Sequence, residues 1–148
     1  MKCFSPAKEI QAVTRLKHDK ICFTLAPYIL NTVMQRPDME VLFVTERILK
    51  QPQKTFQQLL NAGINCTFEQ VYDQEGKKSD ILYDLKTDLH FDDSPNVISG
   101  CIEKNIPIVM ISNNATPYNH HLRQYVPYYS NLRTALIQCG IYKKQKNR

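Results

Sequence analysis

The sequence is short of the features that define several large classes of protein. No apolar run approaches the roughly 18 residues of a membrane span. The first residues, Met1-Lys2-Cys3-Phe4-Ser5-Pro6, lack the apolar centre of a signal peptide. The five cysteines (Cys3, Cys22, Cys66, Cys101 and Cys139) are scattered, odd in number and without a Cys-x-x-Cys pair. That spacing argues against a zinc site or a disulfide framework and for small, reduced side chains. There is no internal repeat and no low-complexity stretch before the last few residues. A cytoplasmic location without membrane attachment is therefore expected.

Charge is also scarce outside one end. Of 19 lysines and arginines, Lys143, Lys144, Lys146 and Arg148 fall in the final six residues, leaving 15 against 14 acids elsewhere. A nearly neutral body makes nucleic acid an improbable partner, and residues 143–148 are read as a solvated basic tail. Residues 1–142 are expected to form a single domain, since 148 residues suit one domain with a real core.

Apolar strands alternate with helical segments. Val41-Leu42-Phe43-Val44 is a continuous apolar run suited to a buried parallel strand. Residues 54–62 predict a helix with Phe56, Leu59 and Leu60 on one face, stopped by Gly63. Residues 64–68 predict a strand, and residues 78–85 a helix through Ile81, Leu82 and Leu85. Residues 88–91 predict a strand ending in Asp92-Asp93. Ser94-Pro95 then opens a helix, with Ser94 as cap and Val97, Ile98, Cys101 and Ile102 as its apolar stripe. Residues 106–111 predict another strand, and residues 131–139 a last helix closed by Gly140. Further upstream, residues 7–17 predict an amphipathic helix, residues 21–25 a strand or hairpin arm, and residues 28–35 a helix after Pro27. The alternation predicts an α/β fold with a mainly parallel sheet. Ligands of such sheets sit beyond the carboxyl ends of the strands, which selects Thr45, Asp92 and the region of Ser112 and Asn113 as one rim.

Three elements of that rim carry chemistry. Asp92 and Asp93 are adjacent carboxylates, the hard ligands that Mg²⁺ prefers. The plainer role for Asp93 is to cap the helix that follows and complement its dipole. Thr45 places a hydroxyl at a strand end, and Lys78 an ammonium at the start of a helix, both suited to phosphate oxygens. Each alone is more often a turn residue or a solvated lysine. Of the four histidines, His90 is expected to pack in or beside the sheet, and the loop pair His120-His121 to be exposed. Tyr118, Tyr125, Tyr128 and Tyr129 suit a core or partner-facing patch.

In combination these residues resemble the haloacid dehalogenase-like (HAD) superfamily. Val41-Leu42-Phe43-Val44-Thr45 is similar to its second motif, Lys78 (with Lys77 as competitor) to its third, and Leu89-His90-Phe91-Asp92-Asp93 to its fourth. Asp92-Asp93-Ser94-Pro95-Asn96, Pro117-Tyr118-Asn119 and Tyr129-Ser130-Asn131-Leu132 resemble the small 5′-nucleotidase-like branch. The resemblance covers residues 25–138. It implies a three-layer Rossmann-like domain, phosphate contacts from Thr45 and Lys78, and a Mg²⁺ held partly by Asp92 and Asp93.

The family's first motif, Asp-x-Asp, is missing. Its first Asp is the nucleophile and its second the general acid and base. Only Asp19 and Asp38 precede Thr45, and neither ends a strand-like run. If Met1-Lys2-Cys3-Phe4 is the first strand, Ser5 and Ala7 take the two positions. If Ile21-Cys22-Phe23 is, Thr24 and Ala26 do. The first placement is preferred, because Thr24-Leu25-Ala26-Pro27-Tyr28 resembles the segment that follows the motif. Both place alanine where the acid and base should stand, so no catalytic residue is assigned. The expected function is that of a pseudophosphatase that binds a phosphorylated ligand or a protein partner. The alternative is an active Mg²⁺-dependent phosphohydrolase with a non-standard nucleophile.

Overall fold

The structure, a computed structural model, describes residues 20–46 and 51–143. In chain order the elements are α1 (Lys20–Met34), β1 (Phe43–Glu46), α2 (Pro52–Asn61), β2 (Val71–Gln74), α3 (Lys78–Asp84), β3 (His90–Asp92), α4 (Pro95–Glu103), β4 (Ile108–Ile111), β5 (Tyr128–Tyr129) and α5 (Leu132–Gln138). Short 3-10 turns, Phe68–Gln70 and Pro117–Leu122, precede β2 and β5.

Every ladder among the described residues is parallel. β1 pairs with β2, setting Phe43 against Val71 and Thr45 against Asp73. β3 pairs with β4, setting Asp92 against Met110, and β4 pairs with β5. The chain is thus a mixed α/β protein with short parallel sheets. Parallel neighbours cannot be joined by a tight hairpin, so a crossing segment must lie between them. Here α2 and α4 are those segments for the first two pairs.

Apolar side chains fall into two buried clusters, and successive strand residues alternate between them. Val41 and Phe43 join Val109 and Ile111, Phe91, and residues of α1 (Ile29, Leu30), α2 (Leu59) and α5 (Leu132, Leu136). Leu42 and Val44 join Ile108 and Met110, with residues of α3 (Ile81, Leu82) and α4 (Val97, Ile98). Side chains alternate along a strand, so a strand covered on both faces must be apolar at every position. That requirement produces the unbroken runs at 41–44 and 108–111. Burying each Phe, Leu or Ile contributes about 1.5–3 kcal/mol relative to exposure.

Helix ends follow local chemistry. Pro52 and Pro95 occupy first-turn positions of α2 and α4, where a missing N–H costs nothing. Gly63 follows α2 at φ +91°, the left-handed conformation that ends the helix. Asn131 caps α5 by accepting the Thr134 N–H at 2.7 Å. Gly100 lets α4 lie close on α3: a Cβ there would stand 2.5 Å from Ser79 Oγ.

Several expectations from sequence are corrected. Residues 21–25 are part of α1, not a strand; α1 runs on through Pro27, so Pro27 does not start a helix. The second placement of the missing motif, at the end of a strand Ile21-Cys22-Phe23, has no strand to end. Residues 64–67 pair in no ladder among the described residues, and the strand comes later as β2. Gln70 fixes that delay: its Oε1 accepts the Thr67 N–H at 2.8 Å, and its Nε2 donates to Val41 O at 3.0 Å. Leu60 and Ile102 are on the exposed sides of their helices, at 38% and 42% exposure. The expected helix over 7–17, the strand Met1-Lys2-Cys3-Phe4, Ser5 and Ala7 lie outside the described residues, as does the tail beyond Lys143.

Candidate functional site

β3 is buried along its length and delivers Asp92 to its carboxyl end. The chain then turns sharply, because Pro95 opens α4 three residues later. Asp92 Oδ1 accepts the backbone N–H of Asp93 at 2.8 Å and of Ser94 at 2.9 Å. These two bonds fix the turn that leads into α4. Ser94 stands at the cap position, but its side chain makes no cap bond. The expected side-chain cap by Ser94 is therefore not made, and Asp92 instead holds the turn before the helix.

The other oxygen, Asp92 Oδ2, accepts from Lys78 Nζ at 3.0 Å and faces His90 Nε2 at 2.9 Å. Lys78 is the first residue of α3, a helix that packs on both α4 and β1. The ion pair is almost dry: the two side chains are 5% and 1% exposed. Burial alone would push the Asp92 carboxyl upward, but the Lys78 charge and the His90 hydrogen bond outweigh it and hold the group well below the ordinary carboxylate range. Burial likewise pushes His90 down, against the pull of Asp92. A neutral imidazole with its proton on Nε2 fits both facts, and His90 Nδ1 is then a buried acceptor with no partner among the described residues. Nearby Cys101 is pushed up to about 12, first by burial and then by the Asp92 charge, so it is no nucleophile.

Asp93 faces the other way. Its Oδ2 accepts the hydroxyl of Tyr118, which burial and the Asp93 carboxylate together push above the usual phenol range. Its backbone carbonyl accepts Asn119 Nδ2 at 2.9 Å. Asn119 is completely buried and uses all its bonding capacity. Nδ2 also donates to Ile111 O at 3.0 Å, while Oδ1 accepts Ser112 Oγ at 2.8 Å and Thr116 Oγ1 at 3.1 Å. Ser112 Oγ in turn accepts Arg123 Nε at 2.9 Å. One amide thereby ties the ends of β3 and β4 to the loop between β4 and β5.

Thr45 is buried in β1 opposite Asp73. Among the described residues no hydrogen bond joins it to Lys78 or to the acid pair. Asp73 is itself buried, and its Oδ2 accepts the Thr55 hydroxyl from α2. The structure thus brings Lys78 onto Asp92, sets Asp93 beside Tyr118, and leaves Thr45 on the other sheet.

The fit of a magnesium ion turns on open carboxylate oxygens. An ionised carboxylate offers about four acceptor directions. All four on Asp92 are filled, by two N–H groups, an ammonium and an imidazole. Among the described residues no group of three His, Cys, Asp or Glu side chains gathers as a ligand set. Asp92 is thus filled by protein groups, while Asp93 gives one oxygen to the Tyr118 hydroxyl.

Sequence reasoning missed His90 as a partner of Asp92, though the period of two along β3 puts positions 90 and 92 on one face. It also missed Asn119 as the tie and Asp73 as a buried acid. Polar residues among loop letters carry no periodic signal. Of the histidine pair, His120 is half-buried with Nε2 2.7 Å from Asn113 O, and His121 is exposed. Tyr118, Tyr125 and Tyr128 are exposed, while Tyr129 packs against the first cluster. No family model, curated protein or solved structure matches this chain. No helix among the described residues is long and apolar enough to cross a membrane.

Proposed function

We propose that this chain is a HAD-like phosphatase-fold domain that has no phosphatase chemistry of its own and binds a phosphorylated ligand or a protein partner. The two clusters support the three-layer arrangement that this fold requires. Residues of α1, α2 and α5 share one with alternate strand residues, and residues of α3 and α4 share the other. The parallel strand ends carry the residues that resemble the family's second and fourth motifs, Thr45 on β1 and Asp92 on β3.

The observation that carries the reading is the closure of Asp92. Its four acceptor directions are spent on the backbone, Lys78 and His90, so the acid serves the turn and the buried ion pair. The residues resembling the first motif supply neither a nucleophilic carboxylate nor a base. Losing a covalent nucleophile costs several powers of ten in rate.

A panel of phosphate monoesters assayed with Mg²⁺ tests this. The expected result is no turnover above background together with saturable binding of at least one phosphorylated compound or protein. Turnover that disappears in Asp92→Asn would overturn it in favour of an active phosphohydrolase. Calorimetric titration with Mg²⁺ alone is expected to give no heat of binding.

A further inference from the structure

Three of the described cations whose side chains the fold holds in place have their charge answered by a carboxylate. Lys78 lies on Asp92, Lys104 on Asp80, and Arg36 is gripped by both oxygens of Asp38. Arg123 is held differently. Its Nε donates to Ser112 Oγ at 2.9 Å. Its guanidinium carbon lies 4.8 Å from the centre of the Tyr128 ring, within cation–π range. No carboxylate pairs with it among the described residues, and its two Nη groups donate to no described atom.

The anchors are themselves firm. Ser112 is 2% exposed and follows β4 directly. Its N–H donates to Tyr129 O at 2.9 Å, and its hydroxyl donates to the buried Asn119. Tyr128 belongs to β5. The guanidinium is therefore fixed by one edge and one face, while its outer edge keeps two parallel N–H donors. Tyr125 and Tyr128, 66% and 43% exposed, open this region to solvent.

A guanidinium fixed in this way matches a tetrahedral oxyanion through two parallel hydrogen bonds. Because its rotamer is already set, little freedom is lost on binding. We infer that Arg123 is an oxyanion-binding residue for a phosphate group, positioned by Ser112 and Tyr128 beside the carboxyl end of β4. This deepens the reading above and rests on it: Arg123 replaces the buried Lys78 as the cation open to the ligand. A chain of hydrogen bonds through Ser112 and Asn119 connects it to Asp93.

The test is calorimetric titration of the full chain with inorganic phosphate and, separately, with a nucleoside 5′-monophosphate. Far-UV circular dichroism and the thermal midpoint serve as folding controls. Wild type is expected to bind the phosphate group, and Arg123→Gln to lose about tenfold or more in affinity. Arg123→Lys, which keeps the charge without the fork, is expected to fall between them. Binding by wild type that is unchanged in Arg123→Gln overturns this inference and leaves the proposed function standing. Full recovery in Arg123→Lys overturns the fork geometry. Failure of wild type to bind either probe overturns the phosphate-binding reading, and this inference with it. Tighter binding of the nucleotide than of inorganic phosphate would assign the exposed tyrosines to the rest of the ligand.

Discussion

The β1–β2 pair and the β3–β4–β5 sheet end their parallel strands by different means. In the first, β1 is buried and apolar up to Thr45, which lies beside the buried Asp73 of the half-buried β2, with Asp73 taking the Thr55 hydroxyl. In the second, the strand ends run into a polar web. Asp92 collects two N–H groups, an ammonium and an imidazole, and Asn119 ties Asp93 to Ile111 and Ser112. Among the described residues the second end gathers a carboxylate, an ammonium and an imidazole in one buried contact. Burying charge is favourable only when every partner stays in place, so the second sheet is specified by its polar bonds and the first mainly by its packing.

Removing one partner should expose the contrast most strongly. Lys78→Met leaves Asp92 buried without its counter-charge and is expected to destabilise the fold by about 3–5 kcal/mol, read as the shift in urea midpoint. A loss under 1 kcal/mol would mean that the ion pair does not specify the second sheet. A paired comparison comes next in size. Asn119→Ala removes one partner each from two backbone carbonyls and two hydroxyls, with an expected loss of about 2–3 kcal/mol, while Thr55→Ala on the first sheet is expected to lose about 1 kcal/mol. Equal losses would erase the distinction between the sheets.

The smallest effect is on pH. The folded-state values of both His90 and Asp92 lie below their unfolded values. The unfolded chain therefore binds the extra protons, and stability rises with pH wherever it does. The His90 contribution is present above about pH 6.5 and is lost as acidification carries the pH down through its folded value; that of Asp92 begins to be lost below about pH 4. The unfolding free energy should fall in those two windows by at most about 1.4 kcal/mol per pH unit for each proton, and the thermal midpoint should fall with it. His90→Gln is expected to flatten the upper window. An unchanged profile in that variant would remove His90 from the account.

What could be read from sequence follows the same division. The runs at 41–44 and 108–111 and the stripes of α3 and α4 were legible, because burial on two faces leaves a periodic signature. β2 was not: Val71-Tyr72-Asp73-Gln74 holds one aliphatic residue, and the apolar Ile64 and Cys66 before it drew the expected strand too early. Ile21-Cys22-Phe23-Thr24-Leu25 has strand-like composition but lies in α1, where helical packing overrides propensity. The acids of the rim were visible as Asp92 and Asp93. Their division of labour was not, since it depends on His90, Tyr118 and Asn119, whose contacts the order of residues does not encode.

One contact made far from the rim bears on how the chain reaches this fold. Arg36, just past α1, donates through Nη1 to Ile141 O at 2.7 Å, across 105 positions of sequence. Ile141 is 1% exposed in the first cluster beside Ile29 and Leu30 of α1. Contacts of such long sequence separation must meet their loop-closure entropy before they return any energy. The end of α1 and the turn after α5 should accordingly lock together late in folding. Amide exchange near Ile141 should then report opening of the whole domain rather than fraying of a terminus.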